Sequence, residues 1–163
     1  MARIKVTSRF AILELIDRFV DNTTANDIGR TVVDESKRMI SEGQSPVRGI
    51  GRFIGYSESY KTWIKGAKGD KKVRPVNLNL SGDMLAAFGF RISKKDTIEV
   101  GIIKGAEFQK EKAGYHQTGN GKMPARPIVP SDNEEFAISV MRKIRDIYGN
   151  RLAFLIRQSN KKR

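Results

Sequence analysis

The chain has 163 residues, a formal net charge of +13 and no cysteine, which fits one domain and excludes disulfides and thiolate metal sites. Apolar residues make up 39% and charged residues 30%, a balance that predicts a modest core with long exposed excursions. No apolar run approaches the roughly 20 residues that a membrane-crossing helix needs, and Arg9, Glu14, Asp17 and Arg18 break the start too early for a signal peptide. The expectation is synthesis in a cytoplasm, with no membrane partner.

Residues 8–21 predict a first helix, because Phe10, Ile12, Leu13, Leu15, Ile16, Phe19 and Val20 fall mostly at helical spacings behind Thr7 or Ser8 as cap. A second helix is expected over about 25–42, with Ile28, Val32, Met39 and Ile40 on one side, a wet far side, and Gly43 as its stop. These two would pack as antiparallel neighbours. Residues 43–77 break every period with glycines at 43, 49, 51, 55, 66 and 69, yet hold Phe53, Ile54, Tyr56, Tyr60, Trp63 and Ile64. A long loop or arm is expected there, with its aromatics docked on this subunit or on a neighbour.

Leu78, Leu80, Met84, Leu85 and Phe88 then predict a short helix starting near Ser81 or Asp83. Alternation over 88–92 and 97–102, around the turn Ser93–Asp96, predicts a hairpin. A short helix over 105–117 and a brief strand at Ile128–Val129 follow. Ser131 and Glu134 form a capping-box pattern ahead of Phe136, Val140, Ile144 and Ile147, so a long final helix is expected to start there. Gly149–Asn150 marks an end or a kink. The fold class is α+β, with a small antiparallel sheet packed against N-terminal helices and a long C-terminal helix.

The positive charge is concentrated. Lys61, Lys65, Lys68, Lys71, Lys72 and Arg74 face Asp70 alone within 61–75, and Lys161, Lys162 and Arg163 follow at the C-terminal tip. Such a basic patch attracts nucleic acid, a membrane surface or an acidic protein face. Non-specific DNA contact is therefore one expectation, and a small basic nucleic-acid-binding protein is the alternative function.

Catalytic patterns are missing from the sequence. His116 is the sole histidine, so one copy of the chain cannot build a histidine metal cluster, and without cysteine there is no Cys–His dyad. No Gly-x-Ser-x-Gly turn and no phosphate-cradling glycine loop with Gly-Lys-Ser/Thr occurs. Asp83, Asp96 and Glu99 lack the lysine spacing of a metal-dependent nuclease. Neither an enzyme nor a cofactor or metal is expected.

The stretch Tyr115–Pro130 is the most shaped part of the chain: Gly119, Gly121, Pro124, Pro127 and Pro130 surround His116, Gln117 and Arg126. Glycine and proline fix unusual backbone, so a largely non-helical loop is expected. His116, Gln117 and Arg126 have hydrogen-bonding groups suited to tying the loop to its own core, to a subunit contact or to a ligand.

The pattern Tyr-His-Gln-x-Gly at 115–119 with Met-Pro-Ala-Arg-Pro-Ile at 123–128 resembles the signature of the tailed-bacteriophage virion morphogenesis proteins, which include tail-completion and neck proteins. Gln44-Ser45-Pro46, Tyr60-Lys61, Leu80-Ser81-Gly82 with Leu85, and Val100-Gly101 support it in order, so the similarity spans about residues 25–150. Ile128 stands where the family usually has Phe. The resemblance implies a structural protein of the virion tail or neck, assembled in the host cytoplasm. It further implies a homo-oligomeric ring, a hexamer by family similarity, that meets a portal-side adaptor or tail tube. His116, Gln117, Arg126, Trp63 and Tyr60 are the expected subunit or partner contacts, and residues 1–163 one domain.

Overall fold

The computed structural model describes residues 21–68, 75–78, 82–94, 97–105, 107–121 and 123–160. The helix expected over 8–21 falls outside them apart from Asp21, as do Leu80, Ser81 and most of the lysine-rich segment.

Helix α1, Asn22–Ser41, begins earlier than its apolar pattern suggests because Asp21 caps it. The Asp21 carboxylate accepts from the Thr24 amide and the Thr24 hydroxyl, both at 2.8 Å, which satisfies a donor otherwise left free at the helix start. Ile28, Val32, Met39 and Ile40 are all buried. The helix stops before Gly43, whose φ of +77° is a left-handed conformation that glycine adopts without strain.

The far side is exposed at Asp27, Arg30, Asp34 and Arg38, whereas the buried face, besides its apolar residues, carries one acid. Glu35 is buried and accepts from Arg38 Nε at 3.0 Å, from Arg38 Nη2 at 2.7 Å and from Lys143 Nζ at 2.6 Å. These partners hold the Glu35 carboxyl down at about 2, with the Arg38 hydrogen bonds the larger cause and burial working against them.

The segment 43–77 was expected as a loop, and within it lies helix α2, Glu58–Lys68. Ser57 starts it by accepting from the Tyr60 amide at 3.3 Å, and Glu58 sits favourably in its first turn. The glycines that hid the helix flank it or fall near its end. Ahead of it, residues 43–53 close on themselves through Ser45 N to Gly51 O and Phe53 N to Gly43 O, both at 2.8 Å.

Helix α3, Asp83–Ala87, leads into strand β1, Phe88–Lys94, which pairs antiparallel with β2, Thr97–Ile102. Phe88 opposes Ile102, Phe90 opposes Val100 and Ile92 opposes Ile98. Phe88 caps the C-terminus of α3 and opens β1. Helix α1 lies across this hairpin at Gly29, where an added Cβ would come within 2.2 Å of the Phe90 ring. Gly29→Ala is expected to cost about 1 kcal/mol by overpacking, moderated because half-buried Phe90 can shift; urea denaturation of the two proteins measures it.

Helix α4, Glu107–Thr118, packs on α3 and β2, and helix α5, Ile138–Asn160, packs on α1. The pairs Glu35–Lys143 and Asp21–Arg151 show that α1 and α5 run in opposite directions. Two expectations for the C-terminal half are corrected. Ser131 and Glu134 do bond to each other, at 2.7 and 2.9 Å, but they close a turn and the helix starts only at Ile138. The backbone between is already used: Arg48 N donates to Glu135 O at 2.8 Å, Ala137 N donates to Pro46 O at 2.7 Å, and Val47 bridges Phe136. Gly149 does not end the helix, and α5 continues to Asn160.

The fold is α+β, with its two-stranded antiparallel sheet against α1 and the long C-terminal helix beside it. One apolar cluster joins Ile28, Val32 and Ile40 to Phe53, Phe88, Val100, Ile128, Val129, Val140 and Ile144. Among the described residues no helix is long and apolar enough to cross a membrane.

Candidate interaction site at the signature loop

The stretch 115–130 divides in two. Tyr115–Thr118 is the last turn of α4, as the helix expected over 105–117 implied, and the chain leaves the helix at Gly119 with φ of +79°. A Cβ on Gly119 would lie 2.9 Å from Met123 O and 3.1 Å from Ala125 N, so backbone crowding as well as conformation calls for glycine. Asn120 and Met123 exchange backbone hydrogen bonds at 3.1 and 2.9 Å, and Arg126 N donates to His116 O at 2.5 Å. The returning strand of the loop is thereby pinned to the helix end.

Gln117 completes the clasp. Its Nε2 donates to Val129 O at 2.6 Å, while its Oε1 accepts from Ile128 N at 3.1 Å and Val129 N at 3.3 Å. Ile128 and Val129 therefore form no strand: a side-chain amide satisfies their backbone, and their apolar side chains enter the core at 2% and 1% exposure. The Ser45 hydroxyl donates to Pro127 O at 2.6 Å, which ties the 43–53 loop to the same clasp.

Arg126 is the centre of the site. It is 2% exposed, and its Nε and Nη2 donate to Ile54 O at 3.0 Å and Gly55 O at 3.2 Å. Its guanidinium lies 5.0 Å from the Tyr56 ring centroid, a cation–π contact that is strongest where water is excluded. Among the described residues its partners are thus carbonyls and a ring. Burial pulls its pKa down, against the influence of Tyr56 and Tyr60. The interaction continues outward: Tyr56 meets Tyr60 at 5.1 Å between centroids, and Tyr60 stacks on Trp63 at 5.5 Å and 21°. Trp63 is 50% exposed, and Ile54 beside the guanidinium is exposed as well.

His116 is buried on the last turn of α4. Burial, then the charges of Arg126 and Lys112, hold its pKa at about 4, so at neutral pH it is an uncharged imidazole. Its Nδ1 is buried without a hydrogen-bond partner. Among the described residues no nucleophile or carboxylate bonds to its Nδ1. Among the described residues no cluster of three His, Asp or Glu side chains is placed to hold a metal ion.

The five expected contact residues are therefore brought into one continuous constellation, in two roles. His116, Gln117 and Arg126 are internal and bond to this chain, while Tyr60 and Trp63 lie on the outer side of α2. Tyr56, which links the halves, carried a readable signal, since 56, 60 and 63 are spaced by four and three residues. Of the basic patch, Lys61 pairs with Glu58 and Lys65 is exposed on α2. The Lys68 side chain, Lys71, Lys72, Arg74, Lys161, Lys162 and Arg163 lie outside the description. Comparison of the chain with protein-family models, with curated proteins and with solved structures returns no match.

Proposed function

We propose that this chain is a structural virion protein of a tailed-phage head–tail junction or tail terminus, working as a homo-oligomeric ring that joins neighbouring components. The supporting observation is how its signature residues are used. Gln117 and Arg126 spend their hydrogen bonds on backbone at 54–55 and 128–129, and so hold helix α2 with half-exposed Trp63 facing outward. A rigidly presented aromatic is a typical centre of a protein contact. A closing ring needs one such surface per copy to meet a different surface on the next copy.

In this reading His116, Gln117 and Arg126 serve the contact by positioning α2, and Tyr60 and Trp63 make it. The basic side chains of 61–74 steer docking onto acidic neighbours or line the path of DNA, a contribution that salt weakens. Trp63→Asp is expected to leave the monomer folded, because that side chain is half in water, and to abolish the oligomer in sedimentation velocity. A ring of unchanged mass would take α2 out of the interface. Labelled protein in assembled particles is expected at the neck or tail end by electron microscopy, and label elsewhere would overturn the assignment.

A further inference from the structure

We infer that copies of this chain join by strand addition, the outer edge of β1 in one copy pairing antiparallel with the outer edge of β2 in the next. The sheet of the single chain is unfinished, because among the described residues it has two strands only. Ile103 N donates to Ala87 O at 3.1 Å just beyond them. Ala87 and Ile103 are therefore a hydrogen-bonded pair, and by alternation so are Gly89–Gly101 and Arg91–Glu99. The backbone N–H and C=O groups of Phe90 and Ile92 consequently point out of one side of the hairpin, and those of Ile98 and Val100 out of the other. Among the described residues no backbone bond reaches these groups. An open edge of this kind is a template for a further strand.

Charge on the polar face of the hairpin selects a second copy and its orientation. β1 carries Arg91 there and β2 carries Glu99, opposite each other and bonded from Arg91 Nε to Glu99 Oε2 at 2.6 Å. That contact uses only Nε. Among the described residues Nη1 and Nη2 of Arg91 bond to nothing, and the side chain is 64% exposed. The guanidinium fork can therefore serve a second carboxylate on its outer side. In the register of the hairpin itself, Phe90 and Ile92 would pair with Val100 and Ile98 of the next copy, and Arg91 would meet its Glu99. Like edges fit poorly, since β1 on β1 brings Arg91 toward Arg91 and β2 on β2 brings Glu99 toward Glu99. Joining unlike edges is a heterologous contact, and because β1 and β2 are antiparallel, each added hairpin continues an antiparallel sheet. The inference rests on the head-to-tail association in the reading above and on no particular station in a particle.

Arg91→Glu and Glu99→Arg are made singly in the full chain, and sedimentation velocity follows each alone, the two in equal mixture, and the parent protein. Each variant alone sets like charges across the joint, so its association is expected to weaken at least about ten-fold. The mixture is expected to regain the parent's association, because alternating copies then oppose unlike charges at every joint. Damage to the hairpin alone would not be rescued in this way, since each variant keeps its own like-charged pair within the chain; circular dichroism checks that both stay folded. Amide exchange on the parent protein needs no substitution: Phe90 and Ile98 should exchange at least about ten-fold more slowly in the assembled protein than in dilute monomer. Unchanged association in either variant, or no rescue on mixing, would overturn the inference and leave the Trp63 contact standing. Equal exchange at all concentrations would also overturn it, since no second copy then covers the edges. A parent protein that stays monomeric would overturn the inference and the homo-oligomeric ring together.

Discussion

Replacing Glu35 with alanine is expected to remove about 2–3 kcal/mol of stability, a fall in Tm of roughly 6–10 °C for a chain of this size. The carboxylate is buried while Arg38 and Lys143 are about half exposed. Removing a buried charge partner commonly costs about 3–5 kcal/mol because the charge left behind is stranded. Here the stranded charges are cations that regain water, which sets the lower figure. Lys143→Met should cost less, about 1 kcal/mol, because Glu35 keeps both bonds to Arg38. That ordering separates a buried acid served by two cations from two ordinary surface pairs, whose removal would give equal and small losses. Urea denaturation at pH 7 measures all three proteins. Equal losses for the two variants would remove Glu35 as the tie between α1 and α5.

The Glu35 cluster also shows where sequence reading runs out. Helix α1 was legible because its apolar residues repeat, and the hairpin because 88–92 and 97–102 alternate about a polar turn. Glu35 looked like one more solvated acid, and nothing local indicates a partner 108 positions away. The same limit explains α5. Ser131 and Glu134 have the residue types of a helix cap and make the bonds, but the Pro46–Arg48 segment captures the next stretch of backbone. Local chemistry was read correctly and a long-range pairing moved the boundary. Helix α2 was missed for a different reason: glycines at 55, 66 and 69 punctuate a segment whose helical residues are few, so period and breakers conflicted. In the signature loop the residue types were legible as hydrogen-bonding groups, whereas their inward direction was not. Gln117 and Arg126 bond to backbone carbonyls and amides, and backbone offers no sequence signal. Only the exposed end of the constellation, Tyr60 and Trp63, shows in composition as what it is in space.

His116 gives the second large effect, an acid-sensitive loss of stability that begins above the range of the carboxylates. Its imidazole titrates near 6.5 when unfolded and at about 4 in the fold. Between those values the unfolded chain holds the extra proton, so stability is complete above about pH 6.5 and declines as pH falls to about 4. The full difference amounts to about 3 kcal/mol, and about 2 is expected once residual solvent contact is allowed for. Glu35 contributes in a lower window, with its stabilisation present above about 4.5 and lost as pH falls through about 2. The two are thus separable by pH. His116→Phe keeps a ring on the helix and strands no partner at Nδ1, which has none, so its stability should hold level from pH 6.5 down to about 4.5 while the parent protein declines. Urea midpoints at pH 7.5, 5.5 and 4.5 decide it. A parallel decline in both proteins would mean that the imidazole is not the group that titrates. A level profile in both would mean that the proton enters the folded core without cost, against the proximity of Arg126 and Lys112. Because His116 O also receives the Arg126 amide, charging this ring disturbs the clasp that presents α2. A change in emission from the sole tryptophan is therefore expected only as pH falls through about 4, where the folded ring takes its proton, and it should be absent in His116→Phe.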